Sequence, residues 1–150
     1  GYVGSVLIKE MLARGYAVKV FDRMYYGDSG IRDHLERIKL VEGDVRTMDN
    51  AVLEGVEAVI NLSGLSNDPT AEYNPKANFD MNTRATERLA NLCKAKGIKR
   101  FIFASSCSIY DVGIGNDEQD IVLDEKAVVN PKAAYSSSKY QAEKIQIVYI

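Results

Sequence analysis

The sequence is poor in the residues that bind metals and form disulfides. It has one histidine, His34, and two cysteines, Cys93 and Cys107, in 150 residues. Neither cysteine belongs to a CxxC pair, and His34 has no cysteine or histidine at ligand spacing, so no metal site is expected. Two unpaired cysteines favour a reducing compartment such as the cytoplasm over a disulfide-stabilised secreted fold.

Long apolar runs and clusters of like charge are absent as well. The longest apolar stretches, such as Phe101–Ala104, are far too short to cross a bilayer, so we expect no membrane partner. The 19 basic and 21 acidic residues are interspersed and leave a net charge of −2. Because no basic stripe or tail is visible, nucleic acid is not an expected partner. The composition, with 46% hydrophobic and 27% charged residues, is that of a globular domain.

Helix-like and strand-like segments alternate along the chain. Apolar residues at helical spacing predict helices over about 3–14, 49–53, 75–96 and from 134 onward. Short β runs are predicted over 16–21, 38–41, 56–62 and 99–105. Polar segments are predicted as loops at 23–33, around Asp68-Pro69 and over 111–133. This alternation predicts an α/β fold of Rossmann type, a doubly wound parallel sheet with helices on both faces.

The first residues have the pattern of a dinucleotide-binding turn. Gly1-Tyr2-Val3-Gly4 opens the first predicted helix, and Asp22 ends a β run 18 residues after Gly4. Glycines here let the backbone approach a diphosphate, and the helix N-terminus offers N–H groups. Asp22 is placed to bind a ribose hydroxyl and to repel a 2′-phosphate, which favours NAD over NADP, although Arg23 could weaken this preference. Taken alone, such glycines occur at many helix starts, and Asp22 could be an ordinary strand-end residue.

Two further strand ends are candidate cofactor contacts. Gly43-Asp44-Val45 follows the second β run, and Asp44 is either a helix cap or an acceptor for an adenine amino group. Leu62-Ser63-Gly64 ends the third β run, at the edge where such sheets bind ligands. Gly64 would permit close approach of the backbone to a cofactor, but a tight turn needs glycine equally.

The most specific feature is a tyrosine and a lysine four residues apart, Tyr135 and Lys139, in a predicted helix. This spacing places both on one helix face. A phenol with a pKa near ~10 is a poor base at neutral pH, and a nearby ammonium group makes a phenolate easier to form. Lys139 could also bind the nicotinamide ribose. Ser106, at a different strand end, would share the substrate hydroxyl with Tyr135, so the three residues form a candidate catalytic set.

Together these segments resemble the NAD-dependent epimerase/dehydratase family, the extended short-chain dehydrogenases that act on nucleotide sugars. The matching segments run nearly the whole length of the chain: Gly1–Gly4, Phe21-Asp22, Gly43–Arg46, Asn61–Leu65, Asn78–Asn82, Phe103–Tyr110, Asp124-Glu125 through Pro131, Tyr135–Lys139 and Ala142-Glu143. The resemblance implies NAD as cofactor, a nucleotide sugar as substrate and a homodimer. It selects Ser106, four positions before Tyr110, as the catalytic serine. It also implies that Asn82 holds the active-site helices or a water near the cofactor.

The reaction is less well determined than the family. Members that eliminate water from a sugar carry an Asp-Glu pair directly after the catalytic serine or threonine, whereas this chain has Cys107-Ser108, which disfavours a dehydratase. We favour a nucleotide-sugar epimerase that acts through a transient keto-sugar. A decarboxylase, a dehydrogenase or another ketone reductase of the same superfamily stays open. A non-catalytic NAD-binding protein is disfavoured because Tyr135 and Lys139 are both present.

Both ends of the sequence suggest a part of a longer protein. The chain starts at Gly1, whereas the family's fingerprint begins with a strand and further glycines. The family also carries a C-terminal substrate domain, of about 150 residues. We therefore expect residues 1–150 to be a partial NAD-binding Rossmann domain, and we predict that they fold poorly and bind NAD weakly in isolation.

Overall fold

Alternating helices and strands form the regular structure of residues 1–110 and 122–147, the part of the chain that the computed structural model describes. The α-helices are α1 (Tyr2–Ala13), α2 (Asp68–Tyr73), α3 (Pro75–Phe79), α4 (Ala85–Ala95) and α5 (Ala134–Ile147). The strands are β1 (Val18–Asp22), β2 (Ile38–Glu42), β3 (Ala58–Asn61) and β4 (Arg100–Phe103). Short 3₁₀ helices cover Arg32–Arg37, Val45–Thr47, Asn50–Leu53 and Cys107–Tyr110. A π-helical turn, Asp80–Arg84, joins α3 to α4.

Glycines end two of the helices, within one residue of the ends predicted at residues 14 and 96. After α1, Gly15 has φ +80° and donates to Leu12 O, while Tyr16 N donates to Met11 O. This pair of bonds satisfies the last carbonyls of the helix, and the left-handed conformation it needs is one that glycine adopts without strain. Gly97 has φ +71° and ends α4 with the same arrangement.

All the strand pairing in the described residues is parallel. Strand β1 pairs with β2 from Val18↔Ile38 to Asp22↔Glu42. Strand β3 pairs with β4 from Ala58↔Arg100 to Asn61↔Phe103. Parallel neighbours need crossover connections, and the predicted alternation of helices and strands supplies them. The predicted single sheet is present as two two-stranded sheets in the described residues. A strand ahead of Gly1 stays a prediction.

The described residues divide into two compact units. The first unit combines Gly1–Ser63 with Arg88–Phe103 and contains all four strands. Ile8, Leu12 and Ile31 form the centre of a hydrophobic cluster in this unit, and half-buried apolar residues of β1 and β2 pack against them. This core packs α1 against β1 and β2.

The second unit combines Gly64–Glu87 with the residues from Ala104 onward. Its interior is unusually polar, because Asn78, Asn82, Thr86 and Ser136 are its fully buried side chains of largest volume. Helix α5 packs against α2, α3, the π turn and the 3₁₀ helix at Cys107–Tyr110. A core of this kind is stable only when its polar groups are hydrogen-bonded to one another.

Some predicted boundaries and one predicted loop are wrong. The segment around Asp68-Pro69 is helix α2, because Asn67 caps it by accepting a hydrogen bond from Thr70 N and proline fits its first turn. The loop predicted over 23–33 ends in the 3₁₀ helix that starts at Arg32. The continuous helix predicted over 75–96 is interrupted by the π turn. Part of the loop predicted over 111–133, residues 111–121, lies outside the described residues.

No described helix has both the length and the apolar character needed to cross a membrane. A homodimer contact through the helices predicted over 75–96 and from 134 onward would need apolar side chains on their outer faces. In the described parts of these helices, no large hydrophobic side chain is exposed. The homodimer stays a prediction.

Candidate active site

Helix α5 places Tyr135 and Lys139 on one face, as their spacing predicted. Both residues are buried, with 9% and 7% of their surface exposed. The Nζ atom of Lys139 lies 5.9 Å from the centroid of the Tyr135 ring and donates a 2.8 Å hydrogen bond to Ala104 O. Burial lowers the pKa of the Lys139 ammonium. The amino group of Lys139 is thereby held near the phenol ring in a poorly solvated position.

Ser106 lies in the segment that leads from Ala104 into the 3₁₀ helix at Cys107–Tyr110, which packs against α5. Its Oγ is 2.8 Å from Ser108 Oγ and accepts a 3.2 Å hydrogen bond from Ser108 N. The neighbouring Ser105 Oγ is buried without a hydrogen-bond partner, and Cys107 is exposed. Ser106, Tyr135 and Lys139 all belong to the second unit, which contains the residues from Ala104 onward.

Asn82 is fully buried in the π turn, and both polar atoms of its carboxamide have hydrogen-bond partners. Its Oδ1 accepts from Leu65 N at 2.8 Å, and its Nδ2 lies within hydrogen-bond distance of Leu65 O, at 3.0 Å. The same Nδ2 lies 2.8 Å from Asn78 Oδ1 and 3.0 Å from Ser138 Oγ. The side chain thus joins the loop at Gly64-Leu65 to α5. This geometry agrees with the implied role of holding the active-site helices, whereas a cofactor contact of Asn82 stays a prediction.

Gly64 is required by this same carboxamide. Its φ is +152°, and a β-carbon placed on it would overlap Asn82 Oδ1 and lie 3.8 Å from Lys139 Nζ. A side chain at position 64 would therefore displace the group that holds Leu65. Packing within the second unit explains this glycine, and close approach to a cofactor is not needed to explain it.

The sequence interpretation missed a set of residues that fix the start of α5. Asn78 Nδ2 donates to Ala134 O at 2.9 Å, and Glu72 Oε1 accepts from Ala134 N at 3.1 Å. Ala134 directly precedes Tyr135, so these two contacts hold the backbone next to the tyrosine. The i, i+4 spacing of Asn78 and Asn82 in an otherwise helical segment was the available signal, because buried asparagines need partners.

In the first unit, Gly1 is the N-cap residue of helix α1, which therefore has no side-chain cap. A β-carbon on Gly1 would meet no atom within 4 Å, and one on Gly4 would meet only Leu62 Cδ1 at 3.9 Å. Packing within the described residues therefore does not require glycine at either position. Tyr2 and Val3, between them, are exposed. The N-terminus of α1 offers backbone N–H groups of the kind that bind a diphosphate.

Asp22 ends β1 beside this helix start, as the spacing predicted. Its Oδ1 accepts from Met24 N at 2.7 Å, and its Oδ2 lies 3.9 Å from the nitrogen of Gly1. The side chain is 43% exposed. A carboxylate has about four acceptor positions, so Oδ2 retains capacity for a ribose hydroxyl.

Asp44 caps the 3₁₀ helix at Val45–Thr47 by accepting from Arg46 N at 2.9 Å, which is one of the two predicted roles. Its carboxylate also takes hydrogen bonds from the Arg46 side chain and an ion pair from Arg23 at 3.0 Å. Hydrogen bonding to Arg46 lowers the pKa of Asp44 to about 2. An adenine contact at Asp44 stays a prediction. Of the neighbouring predicted contacts, Val45 is buried and Leu62 is exposed, while Ser63 hydrogen-bonds to Asn61 Oδ1.

The arrangement of the second unit is suited to moving a proton from a hydroxyl group: a phenol, a buried cation and a serine lie on adjoining elements. The family model described as NAD dependent epimerase/dehydratase matches residues 1–150. The chain belongs to this family. The family is NAD-dependent, and its members are enzymes.

Individual relatives agree with this assignment. The chain is 31% identical over 119 residues to a UDP-glucose 4-epimerase of Klebsiella pneumoniae, covering 73% of the chain and 86% of the relative. It is 28% identical over 149 residues to a UDP-glucose 4-epimerase of Lacticaseibacillus casei, covering 97% of the chain and 43% of the relative.

A solved structure shows the fold. The UDP-glucuronic acid 4-epimerase of Bacillus cereus, in complex with UDP-glucuronic acid and NAD, superimposes with a TM-score of 0.85 at 23% identity. The match covers 99% of this chain and 49% of that structure. The predicted Rossmann-type α/β fold is thereby confirmed. The chain spans less than half of this structure and of the Lacticaseibacillus relative.

Proposed function

We propose that this chain is the NAD-binding and catalytic part of a nucleotide-sugar 4-epimerase. The observation that carries the proposal is the buried Lys139 ammonium, 5.9 Å from the centroid of the Tyr135 ring on the same helix face. Family membership and the 4-epimerase relatives support the reaction type. In this proposal a sugar hydroxyl loses its proton to a protein base while its carbon gives up a hydride, which bound NAD would accept and return to the opposite face of the keto-sugar.

Tyr135 is the proposed base for the sugar hydroxyl. The Lys139 cation stabilises negative charge on the tyrosine oxygen, and burial keeps that attraction from being screened by water. The hydrogen bond from Lys139 Nζ to Ala104 O fixes the ammonium group in position. When the keto-sugar is reduced, the same tyrosine returns the proton, so one residue serves both directions.

Ser106 is the proposed partner of the same sugar hydroxyl. Ser108 N donates to Ser106 Oγ, and the Ser108 hydroxyl lies 2.8 Å from it. When both Ser108 groups donate, the two lone pairs of Ser106 are occupied and its own proton points to the substrate oxygen. Ser108 thus takes the place of a carboxylate in this sequence, which agrees with a reaction that does not eliminate water.

The first unit has residues that fit NAD, whose nicotinamide accepts and returns a hydride when it is bound. The open helix start at Gly1–Gly4 would hold the diphosphate, and the carboxylate of Asp22 would accept hydrogen bonds from the adenosine ribose. Val45, Leu62 and Ser63 are the further proposed contacts in this unit. In the second unit, Lys139 would also bind the nicotinamide ribose.

The test is a comparison of two tyrosines on the same helix in the full-length protein. The Tyr135→Phe variant is expected to lose roughly 10²–10⁴-fold in turnover of UDP-glucose and UDP-glucuronic acid with NAD. The matched control is Tyr140→Phe, which removes the hydroxyl group of a half-buried tyrosine on α5 whose ring contacts the Lys144 ammonium. This variant should keep wild-type turnover. Proton NMR and mass spectrometry of the products distinguish a 4-epimer from a decarboxylated or oxidised sugar. Equal activity of both variants, or a product other than the epimer, contradicts the proposal.

A further inference from the structure

The residues around Asp22 form a charge cluster that the proposed NAD site does not by itself explain. Arg23 directly follows Asp22, and its guanidinium lies 3.0 Å from Asp44 Oδ2 and 4.5 Å from the centroid of the Tyr25 ring. Arg46 binds the same carboxylate through Nε and Nη2. Asp44 therefore holds two guanidinium groups, one of which is adjacent to the proposed ribose-binding carboxylate.

An arginine next to the ribose-binding residue is the usual ligand for the 2′-phosphate of NADP. In this chain the Arg23 side chain is already engaged on two sides, by a carboxylate and by an aromatic face. The charges of Asp22 and Asp44 cancel those of Arg23 and Arg46, so these four side chains offer no net attraction to a 2′-phosphate. Binding one would require breaking the Arg23–Asp44 ion pair and would bring the phosphate close to Asp22.

We propose that Asp44 is a specificity-determining residue, which excludes NADP by holding Arg23 away from the 2′ position of the adenosine ribose. The inference rests on the proposed function, because it assumes that Asp22 binds that ribose. It gives the Arg23–Asp44 pair a role in choosing between two cofactors that differ by one phosphate. A local contact 3.0 Å long, rather than Asp22 alone, then sets the preference.

Isothermal titration of the full-length protein with NAD and with NADP tests this inference without any turnover. Wild-type protein should bind NAD more tightly than NADP. In Asp44→Asn the freed Arg23 can make a charge-assisted hydrogen bond to the phosphate, so the NADP-to-NAD affinity ratio should rise by roughly tenfold or more. Any adenine contact of Asp44 is common to both nucleotides and cancels in the ratio.

Two further variants make the test specific to Arg23. In Arg23→Gln/Asp44→Asn the gain in NADP affinity should disappear, and in Arg23→Gln alone the affinity ratio should equal that of wild type. Asp49→Asn is the matched control, because Asp49 caps a 3₁₀ helix in the same way, accepting from Ala51 N at 2.8 Å. It should leave the ratio unchanged.

The outcomes separate this inference from the proposed function. Wild-type protein that binds neither nucleotide overturns both. NAD-selective wild-type protein with an unchanged ratio in Asp44→Asn overturns the inference and leaves the proposed function standing. A gain in NADP affinity that persists in Arg23→Gln/Asp44→Asn also overturns the inference. So does wild-type protein that binds NADP as tightly as NAD. If Asp44→Asn does not fold, a loss of NADP affinity in Arg23→Gln alone still contradicts the inference.

Discussion

Replacing Asn82 by alanine should destabilise the protein far more than replacing an exposed asparagine. The Asn82 side chain is fully buried and contacts Leu65 N, Leu65 O, Asn78 Oδ1 and Ser138 Oγ. Alanine leaves both backbone groups of Leu65 without these partners, and each unsatisfied buried group costs about 1–3 kcal/mol. Because Leu65 is only half-buried, we expect a total loss of about 2–4 kcal/mol. That is a large part of a typical folding free energy of about 5–15 kcal/mol.

Urea unfolding of the full-length protein, followed by circular dichroism, measures this loss. The matched control is Asn67→Ala, because Asn67 Oδ1 also accepts a backbone hydrogen bond, from Thr70 N at 2.9 Å, but Asn67 is exposed. Loss of this helix cap should cost about 1 kcal/mol. If Asn82→Ala costs no more than Asn67→Ala, the Asn82 contacts do not hold the loop to α5, and the account of the second unit is wrong.

Three further perturbations test the geometry of the site. Gly64→Ala should destabilise by about 3 kcal/mol in urea unfolding, because its β-carbon would overlap the buried asparagine carboxamide and its φ is +152°. Ellman's reagent should modify the exposed Cys107 in native protein but reach Cys93 only on unfolding, because burial raises the pKa of the Cys93 thiol to about 11. Since burial lowers the folded-state pKa of Lys139, the unfolded chain binds more protons between that lowered pKa and the ordinary value of 10.5, and the unfolding free energy should rise with pH through this window. Lys139→Met should remove this rise.

Each of these has a control and a contradicting result. Gly55→Ala places a methyl group where no atom lies within 4 Å, at φ +71°, and should cost only about 1–2 kcal/mol; an equal loss at Gly64 would contradict the overlap. Labelling of Cys93 in native protein would show that it is not buried. Lys144→Met, which removes an exposed lysine from the same helix, should keep the alkaline rise in unfolding free energy. If Lys139→Met also keeps it, Lys139 is not the buried group responsible.

The parts of the fold that the sequence predicts well are those governed by local chemistry. The ends of α1 and α4 lie within one residue of the predicted ends, because Gly15 and Gly97 follow them and adopt a left-handed conformation that other residues rarely tolerate. The β runs were found because short apolar segments alternate with helices, although their ends shifted by up to two residues. Helix α2 was missed because the Asn67-Asp68-Pro69 segment, which caps and starts a helix, is equally typical of a turn.

The candidate site also has one feature that the sequence predicted and others that depend on the tertiary fold. The Tyr135–Lys139 pair was predicted because four residues make slightly more than one helical turn. The bonds from Asn82 to Ser138 and from Asn78 to Ala134 join residues 56 positions apart, and only the tertiary fold brings them together. The π turn at Asp80–Arg84 accompanies those contacts, and helical periodicity gave no sign of it. The same applies to the pairing of Arg23 with Asp44, which lies on the next strand end.

The fate of the hydrogen on the reacting sugar carbon tests the central claim most directly. UDP-glucose carrying deuterium at C4 is incubated with the full-length protein and NAD, and the product is examined by proton NMR and mass spectrometry. A hydride that leaves C4 and returns to the opposite face of the keto-sugar stays within the enzyme, so we predict a 4-epimer that retains its deuterium at C4. An epimer whose C4 hydrogen has exchanged with solvent would contradict the account, and so would the absence of any epimer.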